Sequence, residues 1–261
     1  MLTVACSGIQ GSNDYPQSVV DDPEVWVVVT EPAFEPFTFV DAAGEIAGFD
    51  ADLMRHLCER LGLGLEFVSI PFDGIVPMLE AGTADVAISA ITITSERSES
   101  IDFSRPYFKS GLAIAVQSAE QDIHSLADLA GRKVAAKLGT TGADVANQIP
   151  DVQIIFFDST ALALQDLANG NVDAVINDAP ATLGMMAQGK ASGVKLVGDP
   201  LTEEWYGIAL PPNSANLPFV NDAIAEMLAD GTYENIFRRW FGTAPMPELP
   251  ETIGLSTTGQ S

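Results

Sequence analysis

The apolar positions along the chain fall into alternating strand and helix patterns. "VWVVVT", Val25 to Thr30, is the first continuous apolar run and predicts a buried strand. Leu53, Met54, Leu57, Cys58 and Leu61 then recur at helical spacing, and Gly62 supplies the stop. "LEFVSI" predicts a strand, "GIVPMLEAG" a short helix closing at Gly82, and "DVAISAI" another strand. The pattern restarts at "GLAIAVQ" (111–117), followed by the loop "SAEQDIHSLADLAG". Then come the strand "KVAAKLG", a helix from Ala143, the strand "VQIIFFD", a helix over 160–169 and the strand "VDAVIND". After "VKLVGD" the chain returns through "YGIALP" (206–211). It ends in helices around 216–229 and 232–241, separated by Gly231, and a loose tail.

Such alternation argues for parallel α/β layers. Two α/β units are expected, with the chain crossing between them near 111–117 and again near 203–211. The boundaries are 24–112 plus 206–245 for the first lobe and 113–205 for the second, with 1–23 a signal remnant or flexible tether and 246–261 a flexible tail. Two lobes on a two-strand hinge enclose a cleft, and ligands favour clefts.

Composition narrows the partners. The formal charge of −24, from 12 Lys+Arg against 36 Asp+Glu, excludes nucleic acid and any basic face for an anionic membrane. No apolar run is long enough to span a bilayer. Neither histidine, His56 nor His124, sits in a metal or triad pattern, so no metal, cofactor or catalytic residue is expected. Cys58 reads as a buried small hydrophobe. Cys6, after Thr3-Val4-Ala5 and before Ser7-Gly8, resembles the end of a bacterial lipoprotein signal without the basic and apolar regions that precede one; it is either a lipidation candidate or incidental.

Four segments place polar groups where strands end and helices begin, the binding positions of α/β folds. In "ISAITITSERSES", Thr94 or Ser95 caps a helix and Arg97 falls in its first turn. Arg97 is either a surface charge pairing with Glu96 or Glu99, or, among so many hydroxyls, a carboxylate receptor. "KLGTTGADV" is a plain turn or a set of amides aimed at an anion. It is not a nucleotide loop, because its lysine precedes the glycines. Asn177 and Asp178 end a buried strand, so Asp178 is a helix cap or a carboxylate facing the cleft toward an ammonium group. Glu31 and Phe34, after the first strand, could face the same cleft; Phe34, Phe37 and Phe72 are otherwise core aromatics.

"GFDADLMRHLCERLG", "DVAISAITITSERSESIDFSRPYFKSG", "KVAAKLGTTGADV", "DAVIND" and "DGTYENIFRRWFGTAP" occur in that order. Together they resemble family 3 solute-binding proteins of amino-acid ABC transporters, over roughly residues 24 to 245. That resemblance implies a type II periplasmic-binding-protein fold. It also implies a ligand α-carboxylate on Arg97, with Thr92 and the backbone of Ser89 and Ala90 around the head group. Thr141 would close from the second lobe, and Asp178 would hold the α-ammonium. Phe34 and Phe72 would sandwich the ligand side chain, with Glu31, Lys137 and Asn177 in the side-chain pocket. "YFKSGLAIAVQ", "YGIALP" and "WFGTAP" are most similar to glutamine-binding members, whose pattern has an aspartate at Glu31 and a histidine at Asn177.

The implied partners are a free amino acid and the transmembrane subunits of an ABC permease, the implied state a monomer, and the implied location extracytoplasmic, periplasmic or tethered through Cys6. Lys137 disfavours a cationic ligand side chain and Glu31 an acidic one, so glutamine satisfies the pair best. If the two neutralise each other, arginine or another polar amino acid returns, and glutamate stays possible. Two alternatives stand beside transport: a prephenate/arogenate-dehydratase-like enzyme on the same fold, and a detached ligand-sensor domain.

Overall fold

The computed structural model describes residues 24–254. Cys6 and the expected tether lie outside the described residues. In the first lobe Val25–Thr30 is parallel to Gly64–Ser69 on one side and Val86–Ala87 on the other. Ala209–Leu210 lies antiparallel beside Val86–Ala87, and Asp102–Phe103 closes the sheet. The second lobe repeats the plan. Lys133–Lys137 is parallel to Gln153–Phe157 and Ala174–Asp178, and Leu112–Gln117 and Val194–Val197 complete its sheet antiparallel.

The layers are parallel at their centre, as the pattern predicts, but each sheet also carries antiparallel pairing. Each sheet takes one strand directly from the opposite lobe, and a strand delivered without a crossover helix enters antiparallel. The crossing itself is a two-stranded ribbon, Phe108–Ser110 paired with Glu204–Tyr206. The run Leu112–Gln117, expected near the crossing, lies wholly inside the second sheet.

Local chemistry explains the elements. The helix Phe49–Leu61 buries Phe49, Leu53, Met54, Leu57 and Cys58 on one face and ends at Gly62, whose φ of 70° is left-handed. Burial pushes the Cys58 thiol up to about 11. "DVAISAI" is extended only over Val86–Ala87, because Ala90 turns to a φ of 49° and its N–H leaves the ladder for Asp50 Oδ2 at 2.6 Å. Asp50 is fully buried, and burial raises its carboxyl to about 7 against the pull of that N–H and of Tyr107.

Aromatic rings fasten the ribbon to the first lobe. Phe108 and Tyr206 stack at 5.7 Å, and Phe37 meets Phe108 edge-on at 4.9 Å. Phe49 and Phe237, the latter from the helix Thr232–Phe241, surround them. Beyond that helix the chain lays Ala244 and Leu249 against the same core, while Met246 between them is exposed. Among the described residues no helix is long and apolar enough to cross a membrane.

Candidate functional site

The parallel strands of both lobes point their C-terminal ends at each other, and the polar groups gather there. One cavity between the lobes is lined by Phe34, Phe72, Ser89, Ala90, Thr92 and Arg97 from the first lobe. Lys137, Thr140, Thr141 and Asp178 line it from the second. Every residue singled out from the sequence for ligand binding borders this cavity except Glu31 and Asn177.

Thr94 caps the short helix Ser95–Ser98 by accepting from the Arg97 N–H, as expected. The Arg97 side chain turns inward. It donates from Nη1 to Thr92 O at 2.7 Å and from Nη2 to Gly139 O, across the cleft, at 2.9 Å. Its guanidinium also lies 5.4 Å from the centre of the Phe72 ring. Burial lowers its proton affinity, while Asp144, Glu204 and Asp178 oppose that.

Asp178 ends the strand Ala174–Asp178 and is the N-cap of the helix Ala179–Ala187, but its side chain makes no cap hydrogen bond. Its Oδ1 accepts the hydroxyls of Ser110, at 2.9 Å, and of Tyr206, both from the ribbon. Burial raises its carboxyl above the ordinary range; Tyr206, Ser110 and Arg97 pull it back. Asp178 is thus a cleft carboxylate held by the ribbon.

Glu31 and Lys137 meet directly, Nζ donating to Oε2, and both are buried. The Lys137 ammonium also lies 4.9 Å from the centre of Phe72 and 5.7 Å from that of Phe34. Burial draws it down to about 7, with Asp178 opposing. Glu31 is not among the lining residues but sits beside them on Lys137, and its backbone N–H is held by Ser89 Oγ at 3.1 Å.

Asn177 departs from expectation. Its amide oxygen accepts from Thr160 Oγ1 at 3.2 Å and its nitrogen donates to Thr182 Oγ1 at 3.0 Å and to Asp178 O at 3.2 Å. It is spent inside the second lobe. Successive strand residues point to opposite faces, so Asn177 and Asp178 do not share the cleft side.

The glycines of "KLGTTGADV" serve close approach rather than a phosphate. Gly139 has a φ of 74°, and a Cβ there would come within 3.2 Å of Asp73 Cβ on the facing lobe. At Gly142 a Cβ would come within 2.8 Å of Ile176 O, so the helix Thr141–Asn147 can sit tightly on the strand end.

The sequence placed a crossing strand near 203–211 but did not single out Glu204 within it. Glu204 is buried; its Oε2 accepts the hydroxyls of Thr92, at 2.9 Å, and Thr141, at 3.0 Å, and its Oε1 accepts that of Thr202, at 3.1 Å. Burial, and next Asp178, raise its carboxyl. Glu204 and Tyr206 are buried on one face of their strand, with Trp205 between them on the other.

Among the described residues no cluster could hold a metal ion. The site instead sets a cationic fork and a buried carboxylate around one cavity, with an ion pair flanked by aromatic rings beside them.

Known proteins resemble this chain in sequence and fold. The family described as bacterial extracellular solute-binding proteins, family 3, matches residues 26–243. The ABC transporter arginine-binding protein 1 of Escherichia coli (strain K12) is 34% identical over 217 residues, covering 80% of this chain and 87% of that protein. An ancestral arginine-binding protein solved bound to arginine is 42% identical, with a TM-score of 0.79 over 84% of this chain and 98% of that one. An ancestral arginine-binding protein bound to glutamine is 41% identical, with a TM-score of 0.77 over the same shares, 84% and 98%.

Proposed function

The chain belongs to the family 3 bacterial extracellular solute-binding proteins, a group whose members here carry amino-acid-binding names. From that membership we propose that it captures a polar L-amino acid by closing its two lobes and delivers it to an ABC permease. Its fold is the two-lobed type II periplasmic-binding-protein fold of its structural relatives. The observation that carries the reading is the pairing of Arg97 and Asp178 on the walls of one cavity between the lobes. A zwitterion enclosed there needs both charges matched, because stranding either is costly. Arg97 offers a planar fork to the α-carboxylate from one lobe, and Asp178 offers a carboxylate to the α-ammonium from the other. Binding therefore favours the closed arrangement through differential contacts.

Glutamine is the leading ligand. Its carboxamide can donate to Glu31 and accept from Lys137 while its methylenes lie between Phe34 and Phe72. Glutamate would bring a second carboxylate beside Glu31. Arginine is the second reading, because Glu31 and Lys137 already neutralise each other and an ancestral relative was solved with arginine. Asn177 is left out of the proposed contacts. Transport is favoured over dehydratase chemistry by the binding-protein names of the relatives and by the commitment of the buried acids to hydroxyl donors.

Calorimetric titration of the protein, freed of ligand by unfolding and refolding, against all twenty amino acids tests the proposal. Micromolar or tighter binding of glutamine or arginine is expected, about 8 kcal/mol or more. Binding by none, or unchanged binding in Arg97→Ala, refutes it. We further propose that the protein acts as a monomer, and that Cys6 is a lipid anchor. Mass spectrometry of the membrane fraction tests the anchor, since an unmodified Cys6 there ends that part of the reading.

A further inference from the structure

Glu204 is a buried carboxylate that the proposed contacts leave without a task. It opens the returning ribbon strand Glu204–Tyr206 and stands behind the cavity wall, while Thr92 and Thr141 are part of that wall. Its Oε2 takes one hydroxyl from each lobe, Thr92 at 2.9 Å and Thr141 at 3.0 Å. A threonine hydroxyl carries a single proton. With that proton given to Glu204, each threonine keeps only lone pairs for other partners.

The bonds to Glu204 differ in what they need. Thr202 is two residues away in sequence, so its bond at 3.1 Å is local. Thr92 is tied to the ribbon independently, by its bridge to Tyr206 and by Ile93 N–H donating to Trp205 O at 2.8 Å. Thr141 opens the helix Thr141–Asn147 of the second lobe, and its bond depends on how that lobe is rotated about the ribbon. Of the three bonds it is the one that a rotation between the lobes would break.

We propose that Glu204 is a positioning residue for closure: a ribbon carboxylate that captures Thr141 as the second lobe swings in, fixing the closed cleft without touching the ligand. Burying a carboxylate is costly unless it is hydrogen-bonded, and Thr141 adds a third hydroxyl to two that Glu204 keeps in any arrangement. The cost of the buried charge is thereby turned into a preference for one lobe orientation. The inference deepens the amino-acid-receptor reading, and only the affinity part of its test rests on that reading.

The test uses Glu204→Ala, Thr141→Val, their double variant and the conservative Thr141→Ser. One spin label on each lobe reports the inter-lobe distance without added amino acid, and stopped-flow binding reports kon and koff for whichever of glutamine or arginine the parent protein binds. Glu204→Ala and Thr141→Val are each expected to lengthen the distance distribution and to raise Kd about tenfold, carried by koff, or about 1.4 kcal/mol. Thr141→Ser should behave as the parent, and the double variant should be no worse than the more damaging single. If Glu204→Ala fails to fold, Glu204→Gln, which keeps the volume and loses the charge, is read against Thr141→Val in the same way. Additive losses, an unchanged distance distribution, or a Thr141→Ser as damaging as Thr141→Val would overturn the proposal. A parent protein that binds no amino acid removes the receptor reading, while the distances still decide the role of Glu204.

Discussion

Asp178→Asn separates binding from folding more sharply than any other single change. Asp178 is 7% exposed, and its Oδ1 accepts the hydroxyls of Ser110 and Tyr206. An amide oxygen accepts the same two protons, so the substitution removes charge and leaves the framework. The two consequences have opposite signs. For folding, burial holds the Asp178 carboxyl above its ordinary value of 3.8, Tyr206, Ser110 and Arg97 opposing. A carboxylate with a raised folded value takes up a proton on folding, so its contribution to stability falls as pH climbs from the unfolded value through the folded one. Asparagine does not titrate and removes that slope. At pH 7 the ligand-free variant is expected to melt at the same temperature or higher, consistent with the gain often seen when a buried charge is neutralised.

For binding, the same change strips the α-ammonium of its countercharge. A charge-assisted hydrogen bond contributes about 1.5–3 kcal/mol. At about 1.4 kcal/mol per decade, Kd should rise about 10- to 100-fold. An ammonium left enclosed without its partner pushes the loss to the upper end. Calorimetric titration at pH 7 gives Kd, and scanning calorimetry of the ligand-free protein at pH 5 and pH 7 gives the stability change. A Kd within threefold of the parent refutes the assignment. So does a marked fall in melting temperature with binding intact, which would make Asp178 a fastening of the ribbon and nothing more.

Arg97→Lys should weaken binding about 100-fold, because a point charge cannot replace the fork that reaches both Thr92 O and Gly139 O; equal affinity by calorimetry would remove Arg97 from the carboxylate. Gly139→Ala places a Cβ on a residue at φ 74° and within 3.2 Å of Asp73. A melting temperature lowered by the equivalent of about 1–2 kcal/mol and a several-fold weaker Kd are expected, and an unchanged melting curve would show that the turn relaxes freely.

The sequence made some of this legible for identifiable reasons. Arg97 stood out because hydroxyls surround it in a lysine-poor chain, and Lys137 and Asp178 because they end apolar strands before helix starts. The crossing near 203–211 was legible, but the pairing inside the ribbon and its inward glutamate were not. The ribbon strands, Phe108–Ser110 and Glu204–Tyr206, are three residues each, too short for a period to emerge. Glu204, moreover, is one acid among 36, directly after the exposed Glu203 that pairs with Lys109 at 3.0 Å. Only the pairing of two distant segments shows which glutamate turns inward. Asn177 was placed in the side-chain pocket by the family resemblance alone, and its amide is instead bonded within the second lobe to Thr160 and Thr182. The turn at Ala90 was equally hidden, since the N–H it frees goes to Asp50, 40 residues earlier in the chain.

The Glu31–Lys137 pair supplies a way to tell the two candidate ligands apart beyond affinity. A carboxamide inserted between them accepts from the ammonium and donates to the carboxylate, so both keep their charges and no proton moves. A guanidinium competes with Lys137 for Glu31 and repels it. Burial already draws Lys137 down to about 7, with Asp178 opposing, and a further cation nearby pushes it lower. Arginine binding should therefore release part of a proton from Lys137, and arginine affinity should rise with pH across the neutral range. Glutamine affinity should stay flat there. Titrations in buffers of different ionisation enthalpy, at one pH, count the proton directly. Arginine binding with no proton released, and with the same affinity at pH 6 and pH 8, would mean that Lys137 leaves the pocket charged or never faces the ligand side chain. The selectivity assigned to the pair would then be withdrawn.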